Sequence, residues 1–441
     1  MERAVQPQRH PRGAAHSRRV DRGDPGRHLP GRVDRSAGVR RGRPRIGHPA
    51  RLGTGRRVGV RRQRVRSRCA PPVDAARRRA PPSRRGTHVR PEPVSAPPPR
   101  PQLALRVPPC APVGDIAAFV REVEDLGFDR VYVPDSQLLW RDPFLTLHTA
   151  AQATERLVLG TAVSNLVTRH PSVVAGLVRT LGETAPGRIH LGVGVGNSSV
   201  EPVGLAPSRQ AELRSGIAQV RGLLAGEDVA FGDRVARQRD PHPGIPVYLA
   251  ASGPRNLQLA GEIADGTIVL SGISDALLER SVALVREGEE RAGRPYGSSD
   301  VVVSAFAAVT DDVERDARTL KPVLAAMAQH GGRAALETVG IRAQVPAHVP
   351  EIYPDLVHAE DWPAAVERCS EWISDADALR YAREFCLFGS AAEVAAGIAR
   401  AAARGASTVY LQHVGSYDLP RRLADDVATS VAPLLTKEPV L

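Results

Sequence analysis

The sequence is short of lysine, methionine, cysteine and aromatic residues, and it has no long apolar run. Of its 60 basic residues 58 are Arg and two are Lys, and it holds two Met and four Cys in 441 residues. No aromatic residue stands before Phe119. A stretch without aromatics and with few large apolar side chains cannot bury enough surface to offset the entropy of ordering its backbone, so residues 1–100 are expected to be a disordered leader. No apolar run approaches the ~20 residues of a membrane span, so no membrane partner is expected. The early arginines are not followed by an apolar segment, which argues against a secretory signal, and the pair Arg18-Arg19 lacks the one a twin-arginine signal needs. Cys69, Cys110, Cys369 and Cys386 form no CxxC pair. Neither a metal site nor a disulfide framework is indicated, and a reducing cytoplasm fits. GxxxxGK[ST], HExxH and GxSxG are absent too, which removes the motif-based cases for a P-loop NTPase, a zincin and an α/β-hydrolase.

What is present is unevenly spread. The net charge of +12 conceals a net of +22 in residues 1–100, from 28 Arg and six acidic residues; the remaining chain carries 32 basic and 42 acidic residues, a net of −10. The leader also holds 15 Pro and 11 Gly. One reading is a basic arm that binds nucleic acid through phosphates. The other is a leader with no selected function, including a start placed too far upstream. The Arg, Pro, Gly and Ala bias of GC-rich coding and the lack of aromatics for base stacking favour the second and argue against nucleic acid.

Residues 101–441 repeat one pattern: an amphipathic helix, then Gly, then a short β-branched strand. Gly127, Gly187, Gly266 and Gly405 each stand before such a strand and read as helix stops. Eight candidate strands lie near 103–107, 130–133, 156–162, 188–193, 246–251, 267–270, 300–307 and 407–411. Short continuous apolar runs alternating with helices mean βαβ units and a parallel sheet. Eight units predict an α/β fold of the (β/α)8 TIM-barrel type with an insertion, 331–385, between strands seven and eight. A doubly wound open sheet competes but does not demand eight strands. In a barrel the insertion sits near the mouth, as a lid, a subunit contact or a packing appendage.

Barrels carry function at the C-terminal ends of their strands. Those ends read Pro134-Asp135-Ser136, Gly160 to Asn165, Gly192 to Asn197, Ala250 to Pro254, Leu270-Ser271-Gly272 and Gln412-His413. Small polar ends suit a large planar ligand approached closely by backbone. Pro254 suits a first helical position, Ser252 or Gly253 can cap the helix, and the free amides with Arg255 can grip a phosphate. An ordinary helix start with a solvated arginine is the plainer reading of that segment. Gly192, Gly194 and Gly196 form GxGxG, but Asn197 stands where a dinucleotide fingerprint needs glycine.

These residues resemble the luciferase-like monooxygenase superfamily of flavin- and deazaflavin-dependent oxidoreductases. The resemblance rests on Asp135-Ser136 with the segments 160–171 (GTAVSNLVTRHP), 187–197 (GRIHLGVGVGN) and 250–266 (AASGPRNLQLAGEIADG), and it covers roughly 103–433. The form of 160–171 is most similar to the branch that uses coenzyme F-420, typified by methylenetetrahydromethanopterin reductase. The resemblance implies a barrel that transfers hydride between a deazaflavin and a small-molecule substrate, with a homodimer as a common arrangement. It implies a non-prolyl cis peptide at Ala162–Val163 backing the ring, Asn165 beside it, and Asp135 and Ser136 at its polar edge. Gly196 and Asn197 then line the ring or substrate, and Ala251, Ser252, Gly253, Ser271 and Gly272 hold the phosphate-bearing tail. Asp135, Asn197 and His413 are the catalytic candidates, with Asp135 or His413 for any proton transfer.

Two positions depart from one branch. Relatives that oxidise glucose 6-phosphate have His at the position of Ser136 and Glu at that of Asn197, which argues against sugar-phosphate dehydrogenation. Trp140 matches an active-site Trp of those relatives and is a candidate for the substrate pocket. An FMN-dependent monooxygenase on the same barrel is the alternative, with FMN as cofactor. His190, inside a strand, reads as a core or interface histidine.

Overall fold

A computed structural model describes residues 100–415 and 417–436. The leader lies outside the described residues apart from Arg100, which pairs with Asp129 at 3.0 Å. In chain order the elements begin β1 (Gln102–Arg106), α1 (Val113–Asp125), β2 (Arg130–Val133), α2 (Pro143–Ala153), β3 (Val158–Thr161), α3 (Pro171–Thr184), β4 (Ile189–Val193), a one-turn α4 (Asn197–Val200) and α5 (Gln210–Ala225). A hairpin follows, β5 (Val229–Phe231) and β6 (Arg234–Ala236), then β7 (Val247–Ala251), α6 (Pro254–Ile263), β8 (Gly266–Val269), α7 (Asp275–Arg291) and β9 (Asp300–Val309). Next come α8 (Val313–Asp316), α9 (Lys321–Gln329), α10 (Arg333–Thr338), α11 (Trp362–Cys369), α12 (Asp375–Phe385) and β10 (Leu387–Gly389), before α13 (Ala391–Ala403), β11 (Thr408–Gln412) and α14 (Arg421–Asp426).

Eight strands pair in parallel in the order β9-β11-β1-β2-β3-β4-β7-β8, and β8 pairs back to β9. The sheet therefore closes, which an open doubly wound sheet does not do. Alternation inside each strand splits the apolar residues into two sets. Leu103, Leu105, Val131, Leu159, Leu191, Leu249, Val303 and Val409 face the surrounding helices, while Ala104, Tyr132, Tyr248, Ala250, Ile268, Val302 and Tyr410 fill the lumen.

The glycine punctuation holds at Gly127, Gly187 and Gly405, all with positive φ, and fails at Gly266. There α6 ends at Ile263, and a Cβ on Gly266 would lie 2.1 Å from the Tyr248 ring. Gly266 makes room for an aromatic inside the barrel and is not a helix stop.

The insertion is wider than 331–385. A second apolar core joins Ala317, Leu320 and Leu324 to Ile341, Trp362, Cys369, Tyr381, Phe385 and Cys386. Thus α9, whose periodicity suits a barrel-wall helix, packs into the insertion, and α13 is the wall helix after β9. The insertion leaves from the C-terminal end of β9, which places it at the barrel mouth. The short strand β10 pairs with the end of β9 through Leu387 and Ala307. Among the described residues, no helix is long and apolar enough to cross a membrane, and no cluster of His, Cys, Asp and Glu could hold a metal ion.

Candidate active site

The mouth is organised by a bulge after β3. Ala162 continues the pairing with β2, its amide donating to the Val133 carbonyl at 2.9 Å. Ser164 then crosses to β4, its amide donating to the Gly192 carbonyl and its carbonyl accepting from Gly194, both at 2.9 Å. Between them the Ala162–Val163 peptide is cis, as the family resemblance implies.

The bulge is fixed by a buried ion pair. Ser164 Oγ donates to Asp135 Oδ2 at 2.6 Å. Arg169 donates to both oxygens of Asp135, at 2.7 and 3.1 Å. It also donates to Asp142 at 2.8 Å. Asp142 is itself the N-cap of α2, accepting from the Phe144 and Leu145 amides. Burial lowers the Arg169 pKa, but the two carboxylates outweigh it and hold the guanidinium more firmly charged than usual. Arg169 and Ser164 stand within the 160–171 segment, but a lone arginine there reads as a solvated one, so the Asp135 pairing has no signature in the sequence.

Asn165 is fully buried. Its Oδ1 accepts from the Val167 amide, the Thr168 amide and the Thr168 hydroxyl at 2.8–3.1 Å, which fixes the orientation of the amide. Its Nδ2 is buried with no hydrogen-bond partner. A buried donor without an acceptor costs of order 1–3 kcal/mol, so such a group calls for an explanation.

Around this point the strand ends are tied together. Ser199 Oγ donates to the Asp135 carbonyl at 2.6 Å, and the Ser136 and Ser198 hydroxyls lie 2.7 Å apart. Gly196 has φ +96°, and a Cβ there would lie 2.9 Å from that of Asn165. Asn197 opens α4 beside it. The neighbouring glycines were expected to admit a ligand, yet their Cβ directions are filled by protein: Thr161 O at 2.0 Å for Gly192 and Val163 Cγ2 at 2.6 Å for Gly194. Those two are small because β3 and β4 and the bulge pack tightly there.

At the end of β7, Ser252 and Gly253 are exposed at the start of α6, and Pro254 takes its first position. Gly253 is the N-cap, with no side-chain cap. Ser271 Oγ donates to the Ser252 carbonyl at 3.1 Å, which joins the ends of β7 and β8. Gly272 has φ +105°, a backbone state that favours glycine.

Across the mouth, Trp140 is buried between three groups. Tyr417 stacks on it at 5.1 Å, His358 of the insertion meets it edge-on at 5.7 Å, and the Arg106 guanidinium lies over its ring at 5.4 Å. The insertion therefore reaches the mouth through His358, which is held by Asp355 at 2.9 Å. His413 follows Gln412 at the end of β11, half-buried. Gln412 donates to Ser304 at 2.6 Å. His190 is far from this end. It stacks on Tyr248 at 4.8 Å inside the barrel, in keeping with its core reading.

A closed parallel barrel with its polar leftovers at the C-terminal mouth is the architecture of the barrel enzymes. The luciferase-like monooxygenase family model matches residues 82–408, and the chain belongs to that family. It is 37% identical over 209 residues to an F-420-dependent glucose-6-phosphate dehydrogenase of Beutenbergia cavernae, covering 43% of this chain and 62% of that one. It is 31% identical over 240 residues to a 5,10-methylenetetrahydromethanopterin reductase of Methanolobus tindarius, covering 53% and 73%. The matched part spans less than two thirds of the first of these relatives. Among solved structures, the coenzyme F-420-dependent tetrahydromethanopterin reductase of Methanopyrus kandleri superposes with a TM-score of 0.60 at 21% identity, covering 76% of this chain and 99% of that one. That likeness is one of fold.

Proposed function

We propose that the chain is a coenzyme F-420-dependent oxidoreductase that moves a hydride between the deazaflavin and a small organic substrate. The observation that carries the reading is the buried Asn165 Nδ2 donor, left without a partner beside the bulge after β3. The residues present fit such a group: a buried donor in need of an acceptor and uncapped amides at the start of α6. Ala162, Val163 and Asn165 would hold the ring, with Ser136, Gly196 and Asn197 at its edges. Ala251, Ser252, Gly253, Ser271 and Gly272 would hold the phosphate-bearing tail. The coenzyme, when bound, supplies the hydride chemistry.

The chain's own residues bind, orient and exclude water. Asp135 has both oxygens engaged by Arg169 and Ser164, so it acts as a positioning residue for the bulge and not as a proton shuttle. His413, half-buried at the end of β11, is the group for any proton transfer. Trp140, Tyr417 and His358 roof the substrate side. Ser136 and Asn197 replace the His and Glu of the sugar-phosphate branch, so the substrate is of another kind although relatives named for that reaction match in sequence.

Titrating the purified full-length protein with oxidised and reduced F-420 and with FMN tests the reading. Tight deazaflavin binding without FMN binding is expected. FMN binding without deazaflavin binding overturns the proposal and favours an oxygen-using monooxygenase.

A further inference from the structure

Arg106 is the last residue of β1. Ala104 lies in the lumen cluster and Leu105 and Val107 in the outer one, so strand alternation turns Arg106 into the lumen. It pairs in register with Tyr132, and it follows the Leu105–Leu411 pair, which sets it beside Gln412. Its guanidinium lies over Trp140 and makes no hydrogen bond or ion pair among the described residues. The carboxylate of Asp418 is felt by the Cys110 thiol and forms no pair with Arg106. Burial weakens the guanidinium's hold on its proton, and Tyr410 and Cys110 offset this only in part.

Arg106 is half-buried, and two donors beside it are fully buried and unsatisfied. Trp140 Nε1 and the Tyr410 hydroxyl are buried without a hydrogen-bond partner. The Tyr410 hydroxyl is held protonated by burial, with Arg106 opposing. Two buried donors with no acceptor, beside a cation with no counter-ion, are costly to keep together without a ligand.

We propose that Arg106 is a specificity residue that binds the carboxylate of an anionic substrate. A guanidinium stacked on an indole keeps its N–H edge free, and that planar edge matches the two oxygens of a carboxylate. A single positive charge balances a carboxylate and leaves a phosphate dianion half-compensated. The inference deepens the proposed function by naming its substrate class, and rests on that reading only for what the ligand is used for.

The test is calorimetric titration of the full-length protein, with and without F-420, using benzoate, its uncharged isostere benzamide, and inorganic phosphate. Wild type is expected to bind benzoate about tenfold or more tightly than benzamide, the size of a charged hydrogen bond. Arg106→Gln should lose that preference, and Arg106→Lys should keep part of it. Deazaflavin affinity should be the same in all three, with circular dichroism and thermal unfolding reporting the fold. Equal binding of benzoate and benzamide by wild type, no binding of either, tighter binding of phosphate, or unchanged benzoate binding by Arg106→Gln overturns the proposal. So does loss of deazaflavin affinity in Arg106→Gln with benzoate binding intact, which gives Arg106 to the coenzyme. If wild type fails to bind F-420 but prefers benzoate, the proposed function fails and the carboxylate site stands.

Discussion

The two ends of the barrel treat their polar groups differently. At the N-terminal end, Arg130 lies inside the lumen with its guanidinium 3.1 Å from Asp300, 3.2 Å from the Tyr132 hydroxyl and 2.8 Å from Gln102. Tyr248 donates to the same Asp300 oxygen at 2.7 Å, and Ser407 donates to the other. Burial raises the Asp300 pKa, but Arg130 and these hydroxyls outweigh it and keep the carboxylate ionised. Every member of this floor is satisfied. At the C-terminal end Trp140, Tyr410 and Asn165 each keep a buried donor without an acceptor, and the half-buried Arg106 has no ion pair among the described residues. A folded protein satisfies a buried network when its purpose is stability, and leaves donors over where something else completes them.

The sharpest way to break the comparison is Asp300→Ala. It strands the Arg130 cation, whose side chain is 9% exposed. Removing one partner of a buried pair costs about 3 kcal/mol or more. Urea unfolding should register that loss, while deazaflavin affinity of the folded fraction stays as in wild type. Arg106→Gln should leave stability unchanged or raised and lose the preference for benzoate, with deazaflavin affinity again as in wild type. If Asp300→Ala weakened coenzyme binding at full occupancy of the folded state, floor and mouth would not be separate devices.

A smaller effect concerns pH. Burial, with Arg130 beside it, lowers the His190 pKa from 6.5 to about 4. The unfolded chain therefore takes up the proton first as the pH falls. The stability due to neutral His190 is complete above pH 6.5 and is lost between there and about pH 4, at up to about 1.4 kcal/mol per pH unit. His190→Phe keeps the stack on Tyr248 and removes the titrating group. Stability measured across that window should fall less steeply for His190→Phe than for wild type. Identical slopes would mean that His190 takes up its proton as readily in the folded protein as in the unfolded chain, and the floor would then hold an added charge at low pH.

The same contrast explains what could be read from the sequence. All eight barrel strands are legible, because a strand buried on both faces is a continuous apolar run such as Val131-Tyr132-Val133. The hairpin β5–β6 is not, since strands of three residues facing solvent leave no periodic trace. The start of the insertion was misplaced because Leu320, Val323 and Leu324 carry the same helical spacing whether they pack on a barrel wall or on Trp362. At the site, Asp135, Asn165 and Gly196 were named through a family resemblance. Arg106, Ser164 and Arg169 were not, because what distinguishes them is pairing. One arginine holds carboxylates 34 and 27 residues back along the chain, and the other holds none, and a linear pattern records neither.

The smallest effect is expected from the most charged part of the chain. Residues 1–100 bear a net charge of +22 and the rest −10. The family match and all the candidate site residues lie at or beyond position 82. Deleting residues 1–99 keeps the Arg100–Asp129 pair and the whole barrel. Deazaflavin affinity of the truncated protein should equal that of the full chain. Loss of affinity would make the leader part of the site and break the division of the chain. The same pair of proteins decides between the two readings of the leader. Salt-sensitive DNA binding by the full chain that vanishes on truncation would mark a basic arm acting through phosphate contacts, whose affinity falls steeply because added salt lowers the entropy gained on releasing condensed counterions. Absence of DNA binding in both leaves the arginines without a partner and the acidic barrel as the seat of the chemistry.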